Sequence, residues 1–395
     1  MGSRLKIFPG FLALVILSFV LYFLMMKIQH SNVSFEFLFS YQTLEEKAQY
    51  NILYKIFWFI GDMTEAQFYK STLGGIGLLL FALLAHRLSK SRSKWAGFHI
   101  SYGSGLWPWV LIASTIGLFI STFLYIQHLP EGWIPTFVAF VSIPAGVVLL
   151  YGGGWKNTLT GAVLGGLLAF PISWFFIQAI LAPLELPGVI GSVTGMWLGA
   201  IIVFEICHYL PWMEIPTNSV EDSKKEVAAT ENGTSNVSIQ QANIWYVRRV
   251  FADITEPQFF GNEIATLGLL IGAIVGWLLN PINPFYGSGL FPALIFSQII
   301  VLAMSNFFYF KYWQKLGWFP TFVPVVSVAP TVVQIFDGSI LIIIFGAFLG
   351  ALIGPPMAQM FNRKIPNHWH PVVGNTFSMA LSTLIVVEVL NMVFT

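Results

Sequence analysis

Eleven apolar stretches, each close to the length that crosses a bilayer, leave this chain very few folds. They run over residues 6–28, 71–88, 106–127, 133–151, 158–182, 188–210, 263–280, 288–310, 318–336, 339–361 and 371–394. A spanning helix needs about 20 mostly apolar residues, and a spanning strand about half as many. Inside the hydrocarbon every backbone N–H and C=O must find an internal partner, so runs of this length are read as helices. Composition agrees: 9% of the 395 residues are charged and 56% are hydrophobic. A soluble domain carries about 25% charged residues, so a soluble enzyme is excluded. The 19 Lys+Arg against 18 Asp+Glu leave no basic footprint for nucleic acid. A single cysteine, Cys207, excludes a disulfide framework and a cysteine-based metal cluster. The expected fold is therefore an all-α polytopic membrane protein with about eleven transmembrane helices.

Lysine and arginine placement sets the orientation. With the N-terminus in the cytoplasm and eleven spans threaded, only Lys27, Lys47, Lys55 and Lys70 of the 19 basic residues fall outside. This predicts a multi-pass protein of a prokaryotic cell membrane, its C-terminus outside. Residues 1–29 read as a retained anchor helix, since no small-residue cleavage site follows the first run. Residues 30–61 read as an extracytoplasmic or interfacial segment. Residues 213–247, polar and poor in large apolar residues before Trp245, read as a flexible cytoplasmic linker. The glycosylation-like triplets at Asn232 and Asn236 fall in that linker, on the cytoplasmic side, and carry no meaning there.

The chain also repeats itself. Asp62-Met-Thr-Glu-Ala-Gln-Phe68 returns as Asp253-Ile-Thr-Glu-Pro-Gln-Phe259, and Tyr102-Gly-Ser-Gly-Leu-Trp-Pro108 as Tyr286-Gly-Ser-Gly-Leu-Phe-Pro292. Trp133-Ile-Pro-Thr-Phe-Val138 returns as Trp318-Phe-Pro-Thr-Phe-Val323, and Gly161-Ala-Val-Leu-Gly165 as Gly346-Ala-Phe-Leu-Gly350. Gly191, Met196 and Glu205 match Gly374, Met379 and Glu388. The two copies, residues 62–212 and 248–395, hold five spans each. Five is odd, so they are expected to enter the membrane from opposite faces as an inverted-topology repeat. In topology alone this is similar to five-plus-five secondary transporters.

Such proteins bind their solutes beside broken helices at mid-membrane. The fourth and ninth runs are interrupted by proline in both copies. Pro135, Thr136 and Ser142 in the first, and Pro320, Thr321, Ser327 and Thr331 in the second, are candidates for binding a solute or ion. Tyr102 and Ser104, with Tyr286 and Ser288, open the next candidate site, where glycine-rich turns present N–H groups at a helix start. Thr64 to Gln67 and Thr255 to Gln258 match the capping-box pattern. Capping does not account for the acids shared beside them, Glu65 and Glu256, Asp62 and Asp253. The two glutamates, with Glu205 and Glu388 in the last span of each copy, are candidates for proton or ion coupling, since intramembrane acids are costly. His208 follows Glu205 by one helical turn but has no counterpart in the other copy, where Asn391 stands in its place. The Gly-xxx-Gly pairs suit close helix packing. His368 and His370 are too few for a metal, and no metal or cofactor is expected.

The function expected is secondary active transport of a small solute by alternating access, with protons or sodium as coupling ions. A channel or facilitator is the first alternative, and an intramembrane enzyme acting on a lipid-linked substrate the second. No phosphate-binding loop of the Gly-x-x-x-x-Gly-Lys-Ser/Thr type is present, which argues against an ATP-driven pump. The catalytic set is accordingly empty. The expected partners are the lipid bilayer, a small-molecule or ion substrate, and a second copy of the chain in a homodimer. The shortage of basic residues at membrane depth argues against a highly anionic solute.

Overall fold

The computed structural model describes residues 2–31, 40–216 and 238–394. Most of the expected linker lies outside the described residues, with Asn232 and Asn236. Among the described residues every regular element is helical. The first half holds α1 (Gly2–His30), α2 (Tyr41–Ala48), α3 (Ile52–Asp62), α4 (Thr72–Lys90), α5 (Trp107–Tyr125), α6 (Ile143–Tyr151), α7 (Trp155–Phe175) and α8 (Gly188–Tyr209). The second holds α9 (Ile239–Ile254), α10 (Glu263–Leu279), α11 (Phe291–Leu316), α12 (Val328–Ile335), α13 (Ile340–Asn362) and α14 (Val372–Phe394).

Helices occupy all eleven apolar runs, but eight are long and apolar enough to cross a membrane: those built on α1, α4, α5, α7, α8, α11, α13 and α14. Three others are shorter: Thr136–Tyr151, Glu263–Leu279 and Val323–Ile335. Two of these are the proline-broken runs. In each, a 3-10 turn (Thr136–Ala139 or Val323–Val326) leads through a non-helical serine, Ser142 or Ser327, into a short helix. The expected linker also ends early. Residues 239–247 form the first half of α9, started by a capping box in which Ser238 and Gln241 satisfy each other's backbone N–H.

Glycine decides how the halves meet. α4 and α10 cross at Gly74, Gly77, Gly268 and Gly272. A Cβ on Gly77 would stand far inside contact distance of the Gly268 carbonyl, and one on Gly268 would do the same to Gly77. A Cβ on Gly272 would strike Leu73 and Gly74. Contacts that climb one helix while descending the other mean that the two run antiparallel, backbone against backbone. The Gly-xxx-Gly pairs act within each half. Gly161 and Gly165 admit Val147 and Pro144 of α6, and Gly346 and Gly350 admit Val332 and Val328 of α12. Each short helix thus packs on α7 or α13. α8 and α14 also pack on each other, closing the second seam between halves.

α1 is more than a tether. It packs on α9 and α11. Asn243 accepts from the Gly10 N–H and donates to the Lys6 carbonyl, both at 2.6 Å. Gln29 donates to the Gly289 carbonyl at 2.9 Å.

Candidate functional site

The Thr-Glu-x-Gln segments do not form capping boxes. Each makes one 3-10 turn with no side-chain cap. Thr64 and Thr255 instead accept the N–H of Ser71 and Asn262, tying the turn to the start of the next helix. This frees the glutamines. Gln67 donates to Gln258 Oε1 at 2.9 Å and to the Ile254 carbonyl at 2.5 Å. Gln258 donates to Gln67 Oε1 at 2.7 Å and to the Met63 carbonyl at 3.0 Å. The pattern is reciprocal, residue for residue. Two backbone bonds repeat it: Ser101 N–H to Phe260 O and Phe285 N–H to Tyr69 O, both at 3.0 Å.

Flanking this junction lie two buried ionic clusters. In the first, the Lys70 ammonium contacts Asp62 and, at 2.6 Å, Glu65, with all three side chains fully buried. Thr136 donates to Asp62 at 2.7 Å, Trp133 donates to Glu65 at 2.5 Å, and the Tyr286 hydroxyl reaches Glu65 at 3.3 Å from the other half. In the second, Arg249 contacts Asp253 and, at 2.6 Å, Glu256. Thr321 donates to Asp253 at 2.7 Å, Trp318 donates to Glu256 at 3.0 Å, and Tyr102 stands beside Glu256 from the first half. The correspondence is complete except for the cation. Lys70 aligns with Gly261, and Arg249 with Trp58. In space the charges match: Lys70 lies 3.4 Å over the Trp58 ring and Arg249 4.6 Å over the Trp313 ring. Those indoles donate to Thr136 and Thr321.

Both clusters lie outside the eight long spans. Burial pushes the Glu65 carboxyl up to about 8, against the opposing pull of Lys70. Burial raises Asp253 in the same way, with Arg249 opposing.

Between the halves lies a cavity of about 1220 Å³. Its inner wall is paired across the repeat: Ser192 with Asn375, Val193 with Thr376, Met196 with Met379, Phe137 with Phe322, and Val141 with Val326. Its outer part is not paired. Tyr102, Arg249, Glu256 and Trp318 line it, and it widens toward Gln241, Ile244 and Gly317, all solvent-exposed. None of Asp62, Glu65, Lys70, Trp133 or Tyr286 lines it. That side is covered by Tyr41, whose ring meets Tyr286 edge-on at 5.6 Å, and by a Gln49 bond to the Gln127 carbonyl. His370, between α13 and α14, also lines the cavity, and burial pushes it down to about 4, so it is neutral.

The structure gathers some of the sequence candidates and scatters others. Thr136, Thr321, Glu65, Glu256, Tyr102 and Tyr286 come together in the two clusters. Pro135 and Pro320 start the turns that place the two threonines. Ser142, Ser327 and Thr331 donate to carbonyls one turn back, at Val138, Val323 and Ser327, so they mend broken backbone. Ser104 and Ser288 accept the N–H of Leu106 and Leu290 within their own glycine-rich turns. Glu205 and Glu388 belong to neither cluster. Glu205 accepts from Trp369 at 2.8 Å and pairs with His368 at 3.0 Å, with His208 stacked on His368. Glu388 is half-buried on α14 with no hydrogen bond or ion pair among the described residues. Sequence reasoning missed the indoles of Trp58, Trp133, Trp313 and Trp318, and it missed both cations: Lys70, counted above as an outer lysine, and Arg249, counted as a cytoplasmic one. The cations escape alignment because they occupy different positions in the two copies.

The chain matches no protein-family model, no curated protein and no solved structure.

Proposed function

We propose that the chain is a secondary transporter of a small solute that works by alternating access, its two halves forming a five-plus-five inverted-topology repeat behind an additional N-terminal helix. One observation carries this reading. A cavity walled by equivalent residues of both halves reaches only one of two equivalent ionic clusters, and the other is sealed. An inverted repeat supplies the complementary conformation at no further design, because each half can adopt the arrangement of the other. The antiparallel glycine crossing of α4 and α10 and the reciprocal Gln67–Gln258 bonds suit a two-fold axis through that point. On the charge-based orientation, with Arg248 and Lys315 cytoplasmic, the present conformation is open inward.

The aromatic and neutral wall, with both arginines at the mouth paired to acids, fits an uncharged or zwitterionic solute better than a strongly anionic one. A channel is disfavoured because the cavity reaches one ionic cluster and not its buried equivalent. The test is labelling of a single cysteine at Thr376, in a Cys207→Ser background, in oriented vesicles. Reaction with impermeant reagent from either face, with each face's rate changed by a transported solute, is expected. Reaction from one face under all conditions would remove the proposal.

A further inference from the structure

We propose that each ionic cluster holds one exchangeable proton on its carboxylate pair, and that the two clusters exchange it with opposite faces of the membrane in opposite conformations. The inference rests on the alternating-access reading above. Its first ground is charge. Asp62 and Glu65 share only Lys70, and Asp253 and Glu256 share only Arg249. Every other group touching the carboxylates is neutral: the threonines, the indoles, the tyrosines, Thr122 at Asp62 and Asn306 at Asp253. Two acids against one base leave a buried negative charge, which is expensive where water is excluded. One bound proton per cluster removes it.

The second ground is that the same charge arrangement is built twice from different positions, the cation coming from the loop before α4 in one half and from α9 in the other. The geometry itself, not the particular cation, is what the two halves share. The third is access. Glu256, though only 2% exposed, lines the cavity, and Glu65, equally buried, does not. A proton from cavity water can reach the Glu256 carboxylate and return to that water. The equivalent exchange at Glu65 waits on the opposite opening. A proton suits these sites better than sodium, because hydrogen-bond donors already occupy the carboxylate oxygens and a metal ion needs several free ones. The charged and titratable neighbours are few. Glu256 faces Arg249, Asp253 and Tyr102, with the Arg248–Glu263 pair and neutral His370 beyond. Glu65 faces Lys70, Asp62 and Tyr286, with Tyr41 and Glu45 behind.

The test is infrared spectroscopy of the purified full-length chain in nanodiscs near neutral pH, transferred into D2O. Two protonated-carboxyl bands are expected, one shifting fast and one slowly. Glu256→Gln should abolish the fast band and Glu65→Gln the slow one. Lys70→Gln, a second variant of the sealed cluster, should increase the slow band, since both acids must then be neutral. Absence of protonated-carboxyl bands in the wild type, bands unmoved by all three variants, or equal exchange rates would overturn the proposal. One-sided labelling at Thr376 with both bands present would instead strike the transport reading alone.

Discussion

Lys70 and Arg249 answer the same electrostatic need from unrelated places in the chain. Removing one partner of a buried ion pair costs about 3–5 kcal/mol, because the other group must stay charged without a partner or take up a proton in its place. Lys70→Gly, which copies Gly261, should therefore destabilise the protein by about that amount. Adding Trp58→Arg, which copies Arg249, should recover part of the loss. Thermal melting of the three variants in detergent checks this, and no recovery in the double variant would contradict spatial equivalence. Glu65 gives a pH signature. Its carboxyl is raised by burial from 4.5 to about 8, so its folded state favours the proton. The associated stability is complete below the ordinary carboxylate range and is lost as pH rises through about 8. The wild-type melting temperature should fall across that window, and Glu65→Gln should flatten the fall. At this scale the sequence was only partly legible. Repetition marked Glu65, Glu256, Thr136 and Thr321. It hid the cations, because repetition detects shared positions and the lysine and arginine share only a location in space. The match of Glu205 with Glu388 in the chain brings no equivalence of surroundings: one meets a histidine and an indole, the other neither.

Among elements, the α4–α10 crossing is the joint most sensitive to side-chain size. Gly77→Val would drive a branched side chain into the Gly268 backbone, and neither helix has a flexible atom there to yield. A loss of more than about 4 kcal/mol is expected, the upper end of what single substitutions do. Leu80→Val, on the same helix but 59% exposed, should change stability by less than about 0.5 kcal/mol. Size-exclusion profiles and melting of the pair make the comparison. The proline-broken helices were readable from the sequence because proline forbids a continuous ladder. Their hydroxyls were not, since whether a serine patches its own backbone or faces a solute depends on the neighbouring helix. The Thr-Glu-x-Gln turns were misread as capping boxes for a similar reason. The local pattern fits a cap, yet Gln67 and Gln258 gain more by pairing with each other across the halves.

For the whole molecule, asymmetry is the informative property. The two halves share a backbone plan down to the left-handed residues at Tyr102 and Tyr286 and at Phe68 and Phe259, yet one cluster faces a cavity and the other is shut. The length of the apolar runs and the scarcity of charge fixed the helical class. They left the span count open, because Glu263–Leu279 has 17 residues and two other runs are broken. They could not locate the cavity, which depends on how the halves lean together. The decisive measurement is a pair of distances between spin labels in the same reconstituted protein. One pair, at Gln241 and Gln314, spans the open mouth, and the other, at Tyr50 and Glu131, spans the sealed end. Two populations are expected, in which a shorter distance at the mouth goes with a longer one at the sealed end. Distances that stay fixed at both ends, or lengthen together, would contradict the exchange of conformations between the halves.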